Sequence, residues 1–319
     1  KLKNFISKSI KIKISFSFPV KKKVLLYDET HSLILKEIVK ADFNILKVRN
    51  KEIYFWILLK QIIFFDFSFK TYCINYIKFV SPKVIITFID NNVQFYDLKS
   101  NFKKIKFISI QNGIRGSFWF KDKIFLRFKQ LECDHLFVLN DHIKNEYKKI
   151  IKAKYHVLGC FKNNIVNIQE TKKQNQFLLI SEFAKEKEIL NPQRELFKKL
   201  NLYFSRSNKK LHILLRKKDS ISQKREIKFY NSIFKSNYVG LKASNWKNSY
   251  EIVDQFENII FMYSTLGYEA ISRKKKVGIF SPHQTNSFSD HIGWPSSYKK
   301  IYNFFCSKSF SYNEIRRVL

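Results

Sequence analysis

Three short runs of this chain have residue types and spacings that could do chemistry. In Ser264-Thr265-Leu266-Gly267-Tyr268-Glu269, a pair of hydroxyls meets the start of an expected helix. A side-chain oxygen at Ser264 or Thr265 can satisfy first-turn amides, which have no earlier carbonyl to pair with. The same amides, at the positive end of the helix dipole, suit a phosphate. Glu269 falls four residues after Thr265, on the same helix face and about one turn deeper. Ser264, Thr265 and Leu266 would then hold the phosphate of a nucleotide, and Glu269 its ribose hydroxyls. An ordinary capped helix with a solvated Glu269 has the same pattern.

The other two runs are Asp90-Asn91-Asn92 and Gln111-Asn112-Gly113, each directly after an apolar stretch. If their strands are neighbours, they stand side by side at the carboxyl edge of a sheet. A carboxylate flanked by amides can orient sugar hydroxyls, take a proton or attack as a nucleophile. Gly113 lets the backbone approach a ligand closely, and Arg115 could meet a phosphate or carboxylate. Asn-Asn and Asn-Gly also make plain turns. Asp28-Glu29 and Arg216 end two further apolar runs. Asp290-His291-Ile292-Gly293-Trp294-Pro295 could close over a ligand, and Arg49 with Glu52 reads as a structural ion pair.

The elements that must position these residues follow from hydrophobic patterning. Strands are expected at Val24–Tyr27, Ile45–Arg49, Val84–Ile89, Phe107–Ile110, Leu136–Leu139 and His156–Leu158. Helical spacing falls at His31–Val39, Glu52–Phe65 and Tyr72–Val80, the last stopped by Ser81-Pro82. Residues 161–175 are polar and weakly patterned and read as a linker. A second series follows: strands at Phe177–Ile180, Leu211–Leu215 and Tyr238–Val239, helices at Pro192–Leu202, Gln223–Phe234 and Tyr250–Phe256, then the Asn258–Ala270 stretch and a strand through Phe280. The tail Tyr298–Leu319 is expected to be helical in part. Alternation of strands and helices predicts an α/β fold with mainly parallel sheets. The expected domains are 1–162 and 163–319, two Rossmann-like doubly wound units facing a cleft, with polar clusters at strand carboxyl ends where open α/β sheets bind ligands.

Composition bounds the partners. Lys and Arg number 60 against 26 Asp and Glu, a formal net charge of +34. That excess favours anions: nucleic acid, phospholipid surfaces or phosphorylated small molecules. The chain is also rich in Lys, Ile, Asn, Phe and Tyr and poor in Gly, Pro and Ala, as AT-rich coding produces, so part of the charge is drift on solvated faces. Cys73, Cys133, Cys160 and Cys306 are scattered, without metal-ligand spacing, and read as buried thiols of a reducing compartment. The most apolar long segment, Ile53–Phe69, is interrupted by Lys60, Gln61 and Asp66, so a bilayer-spanning helix is not expected. Residues 1–23 lack a signal-peptide core. The chain opens on Lys1 and is read as trimmed there, with cytoplasmic residence the expectation.

Taken together, Val84–Asn92 with Phe95-Tyr96, Ile110–Arg115, Ser264–Glu269 and Gly293-Trp294-Pro295 resemble the GT-B glycosyltransferases. The chain looks like the bacterial surface-carbohydrate proteins of capsule and O-antigen biosynthesis, related to Kdo- and sialic-acid-type transferases. The resemblance spans roughly residues 24–297. It implies transfer of a sugar from a nucleotide-sugar, such as a CMP-activated sugar acid, to a glycan or lipid-linked glycan acceptor. No further cofactor and no metal are implied. Asp90, Asn91, Gln111 and Asn112 would be the catalytic group, and Arg216, Ser264, Thr265, Leu266 and Glu269 the donor site. The His-Pro pair of sialyl- and Kdo-type nucleotide sites has no counterpart after 211–215, where Arg216-Lys217-Lys218 stands. Peripheral contact with an anionic membrane at the inner face of the plasma membrane fits the charge. Rival readings are transfer of a polyol phosphate from a CDP-activated donor, as in teichoic-acid synthesis, a basic nucleic-acid-binding protein, and an inactive scaffold. No nucleic-acid-binding motif is present, so a nucleic-acid partner is not expected.

Overall fold

In a computed structural model the chain is described over residues 13–40, 42–49, 52–63, 66, 68–115, 117–120, 125, 128, 130–183, 187–280 and 312–319. Its strands are β1 (Lys13–Ser15), β2 (Val24–Tyr27), β3 (Phe43–Leu46), β4 (Glu52–Tyr54), β5 (Val84–Thr87), β6 (Lys106–Ile110), β7 (Glu132–Val138), β8 (Lys152–Val157), β9 (Lys173–Ile180), β10 (Lys210–Leu215), β11 (Tyr238–Lys242), β12 (Phe256–Phe261) and β13 (Lys276–Ile279). Two compact units result: residues 1–113 with 119–162, and residues 163–319 with 114–118.

The first unit holds a six-stranded sheet of order β3-β2-β5-β6-β7-β8, parallel throughout. Its inner strands β2 and β5 are short and apolar almost throughout because both faces are covered, while β7 and β8 toward the edge carry Glu132, Asp134, Lys152 and Lys154. Successive side chains point to opposite faces. Leu25, Ile85, Phe107 and Leu136 therefore enter the larger core with Tyr76, Phe95 and Tyr147, while Leu26, Ile86 and Phe88 enter a smaller one on the other side. The second unit repeats the design with order β11-β10-β9-β12-β13. Phe177, Leu179, Ile213 and Ile260 face one core; Leu178, Leu214, Ile259 and Phe261 face the other.

Two expected elements change. Residues Glu52–Phe65 do not form one helix: Glu52–Tyr54 is β4, paired in parallel with β1, and the helix runs Phe55–Ile63. A strand partner some forty residues earlier decides this, and helical periodicity cannot report it. The linker is also more ordered than its composition suggests. Phe161–Asn164 is a helical turn, and β9 already begins at Lys173. The segment between them is pinned to the second unit by Arg273, itself 1% exposed. Its guanidinium pairs twice with buried Asp254, and it also donates to Asn163 Oδ1 (2.9 Å) and to the Val166 and Asn167 carbonyls (both 3.1 Å). Asp254 in turn accepts from the Gln169 amide at 2.9 Å. Cys73 and Cys133 are buried as expected, whereas Cys160 is half-buried.

Candidate functional site

In the first unit the strand order reverses between β2 and β5, the point where open α/β sheets leave a crevice at their carboxyl ends. The chain leaving β2 turns sharply there, with Asp28 (φ 75°) and His31 (φ 59°) both in the left-handed region. Such residues cluster at sites where surrounding contacts over-determine the backbone. Asp28 is that anchor. Its carboxylate accepts from Arg49 Nε and Nη2, both at 2.9 Å, and from the Thr30 amide at 2.9 Å. Burial raises the Asp28 carboxyl, but the Arg49 and Thr30 bonds outweigh it and hold the group below the usual range. The expected Arg49–Glu52 pair therefore does not form; Glu52 meets Lys47 (2.7 Å) and Lys13 (3.3 Å) instead.

His31 was not singled out in the sequence, where it reads only as a helix start. Its Nε2 lies 2.5 Å from Asn112 Oδ1, and its ring stands edge-on to Phe88 at 5.6 Å. Burial and the charge of Lys162 push the imidazole down to about 4. The ring is thus neutral at pH 7, and with Asn112 as acceptor its proton sits on Nε2. Nδ1 has no hydrogen-bond partner among the described residues.

Asp90 and Asn112 are brought together as expected, but in a different relation. Asp90 is fully buried. One carboxylate oxygen accepts from the Asn112 amide at 3.0 Å and the other from the hydroxyl of Tyr147, whose ring packs against Trp119 and Phe120. The carboxylate is enclosed, so it orders the Asn112 loop and does not face solvent. Asn91 lies exposed in the next turn. Gln111, 3% exposed, braces two loops, donating to the Gly113 carbonyl (2.8 Å) and accepting from the Leu139 amide (2.9 Å). Arg115 falls with the second unit.

In the second unit the order reverses between β9 and β12, placing Ser181-Glu182 beside Met262-Tyr263-Ser264. Glu182, another residue the sequence did not mark, accepts from three consecutive amides: Met262 at 2.9 Å, Tyr263 at 2.6 Å and Ser264 at 2.6 Å. A fixed carboxylate in a nest of amides holds the turn before the helix Thr265–Ser272. Burial raises the Glu182 carboxyl, although those amides and Arg216 pull the other way. The helix start is consequently not built as the sequence suggested. Ser264 occupies the cap position but makes no side-chain capping bond. Thr265 Oγ1 accepts from the Ile114 amide at 3.3 Å, which leaves its own proton to donate. The Leu266 side chain is half-buried and packs against the core that holds Phe261. Glu269 is 5% exposed.

Arg216 is exposed at the end of β10. Its amide and that of Lys217 are held by Glu226 at 3.0 and 2.9 Å, and the same carboxylate accepts from Ser181 Oγ. Buried Glu226 and Glu182 thus tie the ends of β9, β10 and β12 into one polar edge carrying Arg216, Ser264 and Thr265. The loop Asp290–Pro295 lies outside the described residues.

Two parallel sheets of this order, each with its polar residues at a switch point, define a protein of the GT-B fold. The family described as "putative O-antigen biosynthesis protein" matches residues 108–319, most of the chain, and the chain belongs to that family. Among solved structures it is similar to S. aureus MnaA in its co-structure with UDP (TM-score 0.51, 11% identity, 93% of this chain and 87% of that one). It is also similar to a UDP-N-acetylglucosamine 2-epimerase (TM-score 0.52, 12% identity, 94% and 86%). A weaker likeness is to the pneumococcal O-GlcNAc transferase GtfA in complex with UDP and GlcNAc (TM-score 0.43, 10% identity, 66% and 44%), less than half of whose length the chain spans. At such identities the likeness is one of fold, and the chemistry must be argued from the site. No curated protein matches the chain in sequence.

Proposed function

We propose that the chain is a glycosyltransferase that moves a sugar from a nucleotide-sugar to a glycan acceptor of the bacterial surface. The observation that carries this reading is the Glu182 nest. It holds the turn before Thr265 rigid at the switch point, so the first helix amides, the Ser264 and Thr265 hydroxyls and Arg216 are available to a phosphate. Glu269, one turn deeper, is assigned to the ribose.

On the first unit, His31 takes the role of base and Asp90 that of a positioning residue. Nδ1 of a neutral imidazole accepts the proton of the acceptor hydroxyl while Nε2–H stays on Asn112. The acceptor oxygen bonds to the anomeric carbon, the bond from that carbon to the phosphate oxygen breaks, and the electron pair leaves with the nucleotide. The leaving charge is met by the helix start and Arg216 without a metal ion. Asn91 and Asn112 orient the acceptor, and Gln111 keeps the Asn112 loop in register. The nucleotide remains open between CMP, as for an activated sugar acid, and UDP or GDP. No described helix is long and apolar enough to cross a membrane, and action at the cytoplasmic face is part of this proposal.

The test is a thermal-shift screen of CMP, CDP, UDP, GDP and their sugars, followed by turnover with and without a surface-glycan acceptor. One nucleotide should raise the melting temperature, and its sugar should be consumed only with acceptor. Consumption without acceptor, turnover of CDP-glycerol in place of a sugar donor, or no nucleotide binding would overturn the reading.

A further inference from the structure

We propose that the first unit carries a docking surface for an anionic phospholipid bilayer, formed by exposed aromatic residues beside β1 and the lysines next to them. Scattered exposed apolar side chains need no explanation, but contiguous ones mark interaction surfaces. Here Phe16 is 68% exposed, Phe18 56%, Ile14 52% and Trp56 40%. The aromatic ones, Phe16, Phe18 and Trp56, form one patch through Phe55. Phe16 meets Phe55 at 5.3 Å, and Phe18 is stacked on both Trp56 (5.7 Å) and Phe79 (5.3 Å). Trp56 Nε1 donates to the Phe16 carbonyl at 2.7 Å, which fixes the indole against the strand.

Lysines border this patch. Lys21 Nζ lies 5.2 Å over the ring of Phe79, and Lys78 is exposed beside it on the helix Phe69–Val80. The Lys83 amide donates to the Lys23 carbonyl at 2.8 Å, so those two exposed residues are adjacent. Among the described residues, none of Lys21, Lys23, Lys78 and Lys83 forms an ion pair, whereas nearby Lys13 and Lys22 are neutralised by Glu52 and Asp42. Exposed aromatics with a rim of unpaired lysines suit a bilayer interface, where rings sit at headgroup level and ammonium groups meet lipid phosphates. A second copy of the chain fits less well, because a two-fold contact would press the same four lysines against themselves. Lys23 and Lys83 precede β2 and β5, so the patch lies at the amino ends of the strands. His31 and Asn112 lie at the carboxyl ends, and docking leaves them uncovered.

The experiment is co-sedimentation of the full chain with vesicles of phosphatidylcholine alone or mixed with phosphatidylglycerol, at low salt. Wild type should partition at least about tenfold better onto the mixed vesicles. Lys21→Glu with Lys23→Glu should lower that binding at least about 25-fold, from about fivefold per lysine near an anionic surface. Lys224→Glu with Lys228→Glu makes the same charge change on an exposed face of the second unit and should stay within about twofold of wild type. Phe16→Ser should cost about tenfold, through lost apolar contact. If the first lysine pair fails to fold, Lys78→Glu with Lys83→Glu replaces it. Equal loss in both lysine pairs would assign binding to net charge and overturn the proposal. So would a lack of preference for anionic vesicles, or a lipid-free dimer that Phe16→Ser dissociates.

Discussion

His31 and Glu182 show how much a single residue owes to distant partners. An imidazole pushed down to about 4 by burial and by Lys162 stays a proton acceptor well into acid. The acid limb of kcat/KM is therefore expected far below the ordinary histidine value near 6.5, and a limb at 6.5 would remove His31 from the base role. His31→Gln should lower turnover by about 100-fold or more while nucleotide affinity holds. Asp90→Asn should lower turnover and melting temperature together, since it disturbs both the Asn112 amide and Tyr147. Stability has its own sign. His31 and His212 are both depressed to about 4 by burial, so between that value and 6.5 the unfolded chain binds more protons. The melting temperature should therefore rise from pH 4 to 6.5, and less steeply in His31→Gln and His212→Gln, as calorimetry across that range would show. For Glu182, alanine strands three amides, one buried and two partly buried, and should cost about 3 kcal/mol in urea unfolding. Glutamine keeps an acceptor and should cost less.

At the scale of elements, the helix Thr265–Ser272 is set by one glycine and one ion pair. A Cβ at Gly267 would lie 2.1 Å from the Phe261 ring, so only glycine lets this helix approach β12 so closely. Gly267→Ala is expected to cost about 3 kcal/mol by overpacking and to weaken nucleotide binding as the helix start shifts. At the other end, Arg273 and Asp254 are buried and hold residues 163–167 onto the second unit through the Asn163 side chain and two carbonyls. Asp254→Ala leaves that guanidinium uncompensated and should cost about 3–5 kcal/mol, read from the urea midpoint. Most elements were legible because their apolar runs are long and end on polar clusters. β1 and β4 were not, because three-residue strands have no periodicity of their own and exist only as a pair.

For the whole molecule, each unit has a core on both faces of its own sheet. A formal charge of +34 belongs to the molecule rather than to its site. Binding to DNA should accordingly be weak, indifferent to base sequence and released by moderate salt, while nucleotide binding persists, as titration at two salt concentrations would show. Salt-resistant, sequence-selective DNA binding would reverse that assignment.

By itself, the amino-acid sequence determined that there are two α/β units, where most strands lie, and which polar clusters end them, because parallel strands buried on both faces must be continuously apolar and must stop at polar turns. Only the tertiary structure decided which clusters are neighbours and what each carboxylate does. Asp90 became an enclosed anchor when Tyr147 closed on it, and Glu182 acquired three amides some eighty residues along the chain. Such pairings follow from strand order, which local periodicity does not encode.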